Sequence, residues 1–218
     1  MTPADQSRRA AEICALAPVV PVLVVEEAAL AAHLARALVA GGLPALEVTL
    51  RTPAALDAIR AMAEVPGGVV GAGTLLTPAD VKAAKAAGAR FGVSPGATDR
   101  LIAACEDEGL PLLPGAVTAS EVMTLLEKGF TVQKFFPAEA VGGAAALKSL
   151  GGPIPQVGFC PTGGISPANV AAYLALKTVL CVGGSWVAPA DAVAAGDWAR
   201  IESLARTASG LPRASRPA

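Results

Sequence analysis

The sequence has a single histidine, His33, and four cysteines, Cys14, Cys105, Cys160 and Cys181, none of them in a CxxC pair or another metal-ligand spacing. A histidine-rich metal centre is therefore excluded, and no metal is expected. Four scattered thiols fit a reducing, cytoplasmic setting better than a disulfide framework. Aromatic residues make up only 4% of the chain, too few for an aromatic-rich binding surface. Charge of either sign is scarce: 17 Lys and Arg face 18 Asp and Glu, a net charge of -1, without a run of like charges. That leaves no electrostatic footprint for nucleic acid or for an acidic membrane surface, and small molecules are the expected partners. The first residues, MTPADQSRRAAEICALAP, lack an apolar core of signal-peptide length. The long uncharged stretch from Ser149 to Leu176 is interrupted by Pro153, Pro155, Pro161 and Pro167, so neither export nor a membrane span is expected.

What is abundant is small and apolar. Hydrophobic residues reach 53% over 218 positions, enough to bury the core of one domain. Eight short apolar or β-branched segments begin near Val19, Ala45, Val69, Phe91, Leu112, Val132, Gln156 and Thr178, each followed by an Ala-rich helical pattern. This even alternation predicts an α/β fold, a single-domain (β/α)8 TIM barrel over residues 1–208, with a doubly wound sheet as the alternative. An extra amphipathic helix is predicted over residues 3–16, placed to cover the N-terminal end of the barrel, and a frayed tail over 209–218. Hydroxyl caps are predicted at Thr52-Pro53, Thr77-Pro78, Thr98-Asp99, Thr118 with Glu121 as a capping box, and Ser166-Pro167.

Barrel active sites collect at the C-terminal ends of the strands. In the sixth segment, VQKFFPAE, period-2 alternation sets Lys134 on the same face as Val132 and Phe136. Burial disfavours an ammonium ion, and a neutral amine attacks a ketone to give an imine, whose protonated form is an electron sink. The plain alternative is a lysine that snorkels to the rim or pairs with a carboxylate. In the second segment, ALEVTLRT, Ala45, Glu47, Thr49 and Arg51 share one face, while Leu46, Val48 and Leu50 face the helices. Glu47 then serves either as acid and base beside the imine or as an ion-pair partner for Lys134. Arg51 offers a forked guanidinium to a substrate carboxylate or forms a rim salt bridge. Thr74, at the end of the third segment, contacts ligand or caps a helix. Ser94 and Pro95 end the fourth segment and shape a pocket wall or a simple turn.

Two glycine pairs end neighbouring segments: Gly163 and Gly164 after the seventh, and Gly183 and Gly184 with Ser185 after the eighth. Exposed backbone N–H groups free of side chains, near a helix N-terminus such as the one expected at Ser166-Pro167, are in these two loops the usual phosphate cradle of a barrel, with a pair of tight turns as the alternative.

The segments LEVTLRTPAALDAIR, GAGTLLTPAD, VQKFFPAEAVGG and FCPTGGISPANVAAYLALKTVLCVGGSW together resemble the family of 2-dehydro-3-deoxy-phosphogluconate (KDPG) and 4-hydroxy-2-oxoglutarate (KHG) aldolases, over nearly the whole chain. The resemblance implies a class I aldolase of the Entner-Doudoroff pathway that takes a phosphorylated 2-oxo acid, without metal or cofactor, as a cytoplasmic homotrimer. It implies Lys134 as the Schiff-base residue and Glu47 as acid and base. Arg51, Thr74, Pro95 and Phe136 would surround the pyruvyl carboxylate, and Gly163, Gly164, Gly184 and Ser185 would hold the phosphate. Two departures from the family pattern are Ala119, commonly proline, and Gly92, commonly bulkier. Alternatives are an aldolase for the C4-epimeric galactonate phosphate, a phosphate-gripping barrel isomerase or epimerase, and a silent metabolite binder.

Overall fold

All eight predicted segments become strands. The computed structural model describes residues 1–214 and places β1 (Val19–Leu23), β2 (Ala45–Thr49), β3 (Val69–Gly73) and β4 (Phe91–Val93) where the alternation put them. The fifth segment is cut by Pro114 into β5 (Leu112–Leu113) and β6 (Gly115–Ala116), because proline has no N–H to give to a ladder. Its carbonyl still accepts from Lys134 N at 2.8 Å, which carries the sheet across the break. The remaining strands are β7 (Val132–Phe135), β8 (Gly158–Pro161) and β9 (Val182–Gly184).

Every strand pairing is parallel, in the orders β5-β4-β3-β2-β1-β9 and β6-β7-β8. Bridges between Phe159 and Val179 and between Thr162 and Gly183 join β8 to β9, so the sheet curls into a (β/α)8 barrel. The doubly wound alternative falls with those bridges. Around it run α2 (Ala28–Ala40), α3 (Ala55–Ala63), α4 (Pro78–Ala86), α5 (Asp99–Asp107), α6 (Ala119–Glu127), α7 (Gly143–Gly151), α8 (Val170–Leu174), α9 (Ala190–Ala194) and α10 (Trp198–Ser209).

The pleat sorts side chains into two cores. Leu46 and Val48 face outward into a layer with Leu34, Leu38, Ile59 and Leu75. Each such residue contributes roughly 1.5–3 kcal/mol by leaving water, so the strand-to-helix layer supplies most of the driving force. The inner core is smaller: Val20, Ala45, Phe91, Val93, Leu113, Val132, Cys160 and Cys181 meet Ala10 and Cys14.

Those last two belong to α1 (Pro3–Ala15), the predicted extra helix. Thr2 caps it by accepting from Asp5 N at 3.2 Å. Gln6 Oε1 accepts from Leu112 N at 3.2 Å, and Ser7 Oγ accepts from Thr131 N at 2.9 Å and Val132 N at 3.0 Å. These N–H groups begin β5 and β7, and leaving one unpaired in a buried place costs about 1–3 kcal/mol. Two polar side chains thus dock α1 across the N-terminal mouth and leave the opposite mouth for chemistry.

Two details differ from expectation. Thr77, Thr98 and Thr118 cap α4, α5 and α6, but Thr52 donates to Val25 O and α3 starts later, at Ala55 behind an uncapped Ala54. Likewise α8 starts at Val170 rather than at Ser166-Pro167; Asn169 Oδ1 accepts from Ser166 N instead, making a turn. At the C-terminus, Ser209 closes α10, and Arg213 donates to the carbonyls of Cys14, Ala15, Ala17 and Leu180 at 3.2 to 3.5 Å. Residues 215–218 of the expected tail lie outside the described residues. As for the two departures, Ala119 opens α6 with its capping box intact, and Gly92 leaves room for Leu75. His33 stacks on Trp198 with ring centroids 5.8 Å apart.

Candidate active site

β7 sets the direction of its lysine. Gln133 points outward and its amide donates to Val122 O at 3.1 Å and Phe130 O at 2.9 Å, which pins the strand to α6. Alternation then sends Lys134 into the barrel, with Gly115 and Cys160 as its neighbours in register. Across the interior, Glu47 comes in from β2 opposite Val22 and Gly71. Lys134 Nζ lies 3.2 Å from Glu47 Oε1, with the two side chains only 7% and 3% exposed. The same nitrogen lies 5.3 Å from the centre of the Phe136 ring.

A buried ion pair seldom adds net stability, because desolvation offsets the attraction, whereas removing one partner costs about 3–5 kcal/mol. Apolar residues would serve a barrel core as well, so the pair points to chemistry. Glycine makes the space: a Cβ on Gly73 would come 2.3 Å from Glu47 Oε1, and one on Gly71 would strike the Phe91 ring at 2.4 Å.

At the rim, Arg51 Nε donates to Thr74 Oγ1 at 3.3 Å. Arg51 is exposed and makes no ion pair among the described residues, which removes the salt-bridge alternative. The capping alternative for Thr74 goes too, since Thr77 caps α4. Thr74 instead sits at φ 62°, the one non-glycine residue in the left-handed region among those described. A β-branched residue there is strained by roughly 1–3 kcal/mol, and such strain concentrates at ligand sites. Half-buried Pro95 lies beside Gly115, whose Cβ would come 2.2 Å from Pro95 O, so it stands one strand from Lys134. The neighbouring Ser94 hydroxyl is buried without a hydrogen-bond partner among the described residues.

The two glycine pairs do meet, through the Thr162–Gly183 bridge. Gly163 and Gly164 have φ of 103° and 77°, which only glycine adopts without strain. A Cβ on Gly184 would lie 1.8 Å from the Trp186 ring, and Ser185 next to it is exposed. A cavity of about 510 Å³ opens beside Ser185, lined by Val22, Val24, Glu26, Leu30 and Ala188. Neither Lys134 nor Glu47 lines it, so the reacting centre is located by the buried pair and the cavity marks only the flank next to Ser185.

Sequence reading missed two features. Tyr173 donates to Glu139, bracing the turn after β7 behind Gly164, and burial, helped by that carboxylate, pushes its phenol upward. A glutamate opening a one-turn 3-10 helix (Glu139–Val141) and a tyrosine in a short helix carry no signal of this in the sequence. Cys14, Cys160 and Cys181 also converge, although their linear spacing suggested no cluster.

Residues 10–204 match the family model described as KDPG and KHG aldolase. The KHG/KDPG aldolase of Escherichia coli (strain K12) is 56% identical over 200 residues, 91% of this chain and 94% of that one. The crystal structure of the 2-keto-3-deoxy-6-phosphogluconate aldolase of Zymomonas mobilis ZM4 with 3-phosphoglycerate superposes with a TM-score of 0.91 at 50% identity, covering 97% of this chain and 100% of that one. The KDPG aldolase of Legionella pneumophila, solved with pyruvate captured at low pH as a covalent carbinolamine intermediate, gives 0.88 at 45% identity, covering 92% and 98%. On its sequence and on its barrel alike, the chain belongs to the KDPG and KHG aldolase family.

Proposed function

We propose that this chain is a class I aldolase that cleaves 2-dehydro-3-deoxy-6-phosphogluconate to pyruvate and glyceraldehyde 3-phosphate, and 4-hydroxy-2-oxoglutarate to pyruvate and glyoxylate. The observation that carries the reading is the buried contact of 3.2 Å between Lys134 Nζ and Glu47 Oε1 at the heart of a barrel. The family membership and the carbinolamine in the Legionella pneumophila relative support it.

Glu47 is within reach to take a proton from Lys134 and free the lone pair for attack on the C2 carbonyl. The carbinolamine loses its hydroxyl as water with a proton from Glu47, leaving an iminium. Loss of the C4 hydroxyl proton to a base then drives cleavage of the C3–C4 bond, and its electron pair moves into the iminium. The resulting enamine of pyruvate is protonated at C3, and hydrolysis returns the Lys134 amine.

In this reading Arg51 and Thr74 hold the substrate carboxylate, with the strained Thr74 backbone aiming its hydroxyl inward. Pro95 and Phe136 flank the three-carbon unit. Gly163, Gly164, Gly184 and Ser185 receive the phosphate. That cradle relies on glycine backbone and not on a helix start, because α8 begins six residues beyond Gly164. A homotrimer in the cytoplasm completes the proposal and rests on the family resemblance. Among the described residues no helix is long and apolar enough to cross a membrane.

A cleavage assay with three substrates tests the reading. Pyruvate released from the gluconate phosphate, and more slowly from 4-hydroxy-2-oxoglutarate, is the expected result. Faster release from the C4-epimeric galactonate phosphate would reassign the substrate, and release from none would end the aldolase assignment.

A further inference from the structure

Cys14, Cys160 and Cys181 come from three elements. Cys14 stands in the last turn of α1, Cys160 in β8, and Cys181 just ahead of β9. All three are free thiols, at most 2% exposed, and their sulfurs lie within 4.8 Å of one another. The fourth cysteine, Cys105, is buried apart from them in the outer core.

Buried cysteines often act as small apolar fillers, and a filler needs no sulfur beside it. Here three sulfurs converge, and two of them, Cys14 and Cys160, border a void of about 10 Å³ in the barrel floor together with Glu47, while Cys181 stands off its wall. A volume of that order holds one small guest. The rest of its wall, including Ala10, Val20, Phe91 and Leu113, is apolar. A tetrahedral site with metal–sulfur bonds of about 2.3 Å sets its sulfurs about 3.8 Å apart, so these need draw together by about 1 Å at most. Thiolates select soft or borderline cations with filled d shells, and a carboxylate is an accepted fourth ligand.

We propose that Cys14, Cys160 and Cys181 form a site for one thiophilic d10 cation in the barrel floor, with the Glu47 carboxylate as fourth ligand, and that occupancy switches the enzyme off by drawing Glu47 away from Lys134. The inhibitory half rests on Lys134 and Glu47 being the reacting pair. Binding is ligand exchange without redox change: each thiol releases its proton to buffer, each sulfur lone pair forms one bond to the cation, and the cation sheds its water. A divalent ion with three thiolates and a carboxylate carries a charge of -2, which Lys134, paired in register with Cys160, partly offsets. The substrate pocket stays empty throughout, so the inhibition is not competitive.

The test titrates the reduced, metal-free, full-length protein with Cd²⁺ alone, without oxygen. Ultraviolet sulfur-to-cadmium charge-transfer absorption and native mass report binding, and cleavage of the gluconate phosphate reports activity. Expected are one Cd²⁺ per chain and a loss of kcat on the order of 10²-fold, the usual contribution of an acid/base group, restored by a chelator. Cys14→Ala and Cys181→Ala should each lose the band and resist inhibition relative to their own metal-free rates, while Cys105→Ala should respond like the wild type. Circular dichroism checks that each variant folds, and the serine variant at the same position, Cys14→Ser or Cys181→Ser, replaces any alanine variant that does not. Absence of the band, or a band that survives both cluster substitutions, overturns the site. One Cd²⁺ bound with unchanged kcat overturns the role of Glu47. A folded metal-free protein that cleaves nothing contradicts the aldolase reading itself, and the band then still decides the thiol site.

Discussion

Replacing Gly73 by alanine adds one methyl group directly beneath the reacting pair. Its Cβ would lie 2.3 Å from Glu47 Oε1, 2.7 Å from Cγ and 2.9 Å from Cδ, where van der Waals contact needs roughly 3.5 Å or more. The φ of Gly73 is not in the left-handed region, so alanine suits the backbone, and the three nearest atoms it would meet all belong to the Glu47 side chain. Glu47 must retreat by about 1 Å, which breaks its hydrogen bond to Lys134. An overpacked core costs about 1–3 kcal/mol, or roughly 2–4 °C in Tm for each kcal/mol in a chain of this size. The catalytic loss is larger: displacing an acid/base group lowers kcat by on the order of 10²–10⁴-fold. Gly92→Ala is the matched control, since its Cβ would meet Leu75 Cδ1 at 2.5 Å in the outer core, away from the pair. Steady-state kinetics with the gluconate phosphate, alongside melting curves, should show both variants destabilised and only Gly73→Ala crippled. A Gly73→Ala enzyme that melts lower but keeps the wild-type kcat would refute the role assigned to Glu47.

Glu47→Gln keeps the volume and removes the proton acceptor, so kcat should fall by on the order of 10²-fold or more; a mere ion-pair partner would leave kcat near wild type. Arg213→Ala strips their donor from three carbonyls at the end of α1, a helix without a basic residue in its last turn, and from Leu180 O ahead of β9. It should lower stability by about 1 kcal/mol and speed hydrogen exchange in α1 at constant kcat, whereas unchanged exchange would contradict the capping role. Burial pushes the Cys105 thiol up to about 12, and the raised value keeps it protonated at any ordinary pH. The native protein should therefore leave Cys105 unmodified by a thiol reagent at pH 8, and the unfolded protein should label there; rapid native labelling at Cys105 would rule out the burial described.

The parts legible in the sequence are those governed by local rules. Period-2 alternation alone sent Glu47 and Lys134 inward, and Leu46 and Val48 outward, because each pleat fixes the face of its neighbour. Thr77, Thr98 and Thr118 were readable as caps because a cap is a contact across three residues. Thr52 looked the same locally, but its hydroxyl found Val25 O, 27 residues away, and no local rule reports such a competitor. The same limit hid Arg213, whose acceptors lie in α1 and before β9, and the cysteine cluster, which exists only once the barrel closes over α1. Among the glycines, doublets at two loops suggested an open cradle, while the space that Gly73 leaves for Glu47 appeared only with the carboxylate in place.

The central claim is a covalent bond between Lys134 and a 2-oxo acid. Intact-mass analysis after incubation with pyruvate and sodium borohydride tests it most directly, comparing the wild type with Lys134→Ala. A gain in mass of one reductively attached pyruvate per chain, in the wild type only and mapped to the peptide that carries Lys134, is the predicted result. An unchanged wild-type mass, or an adduct that persists in Lys134→Ala, would contradict it.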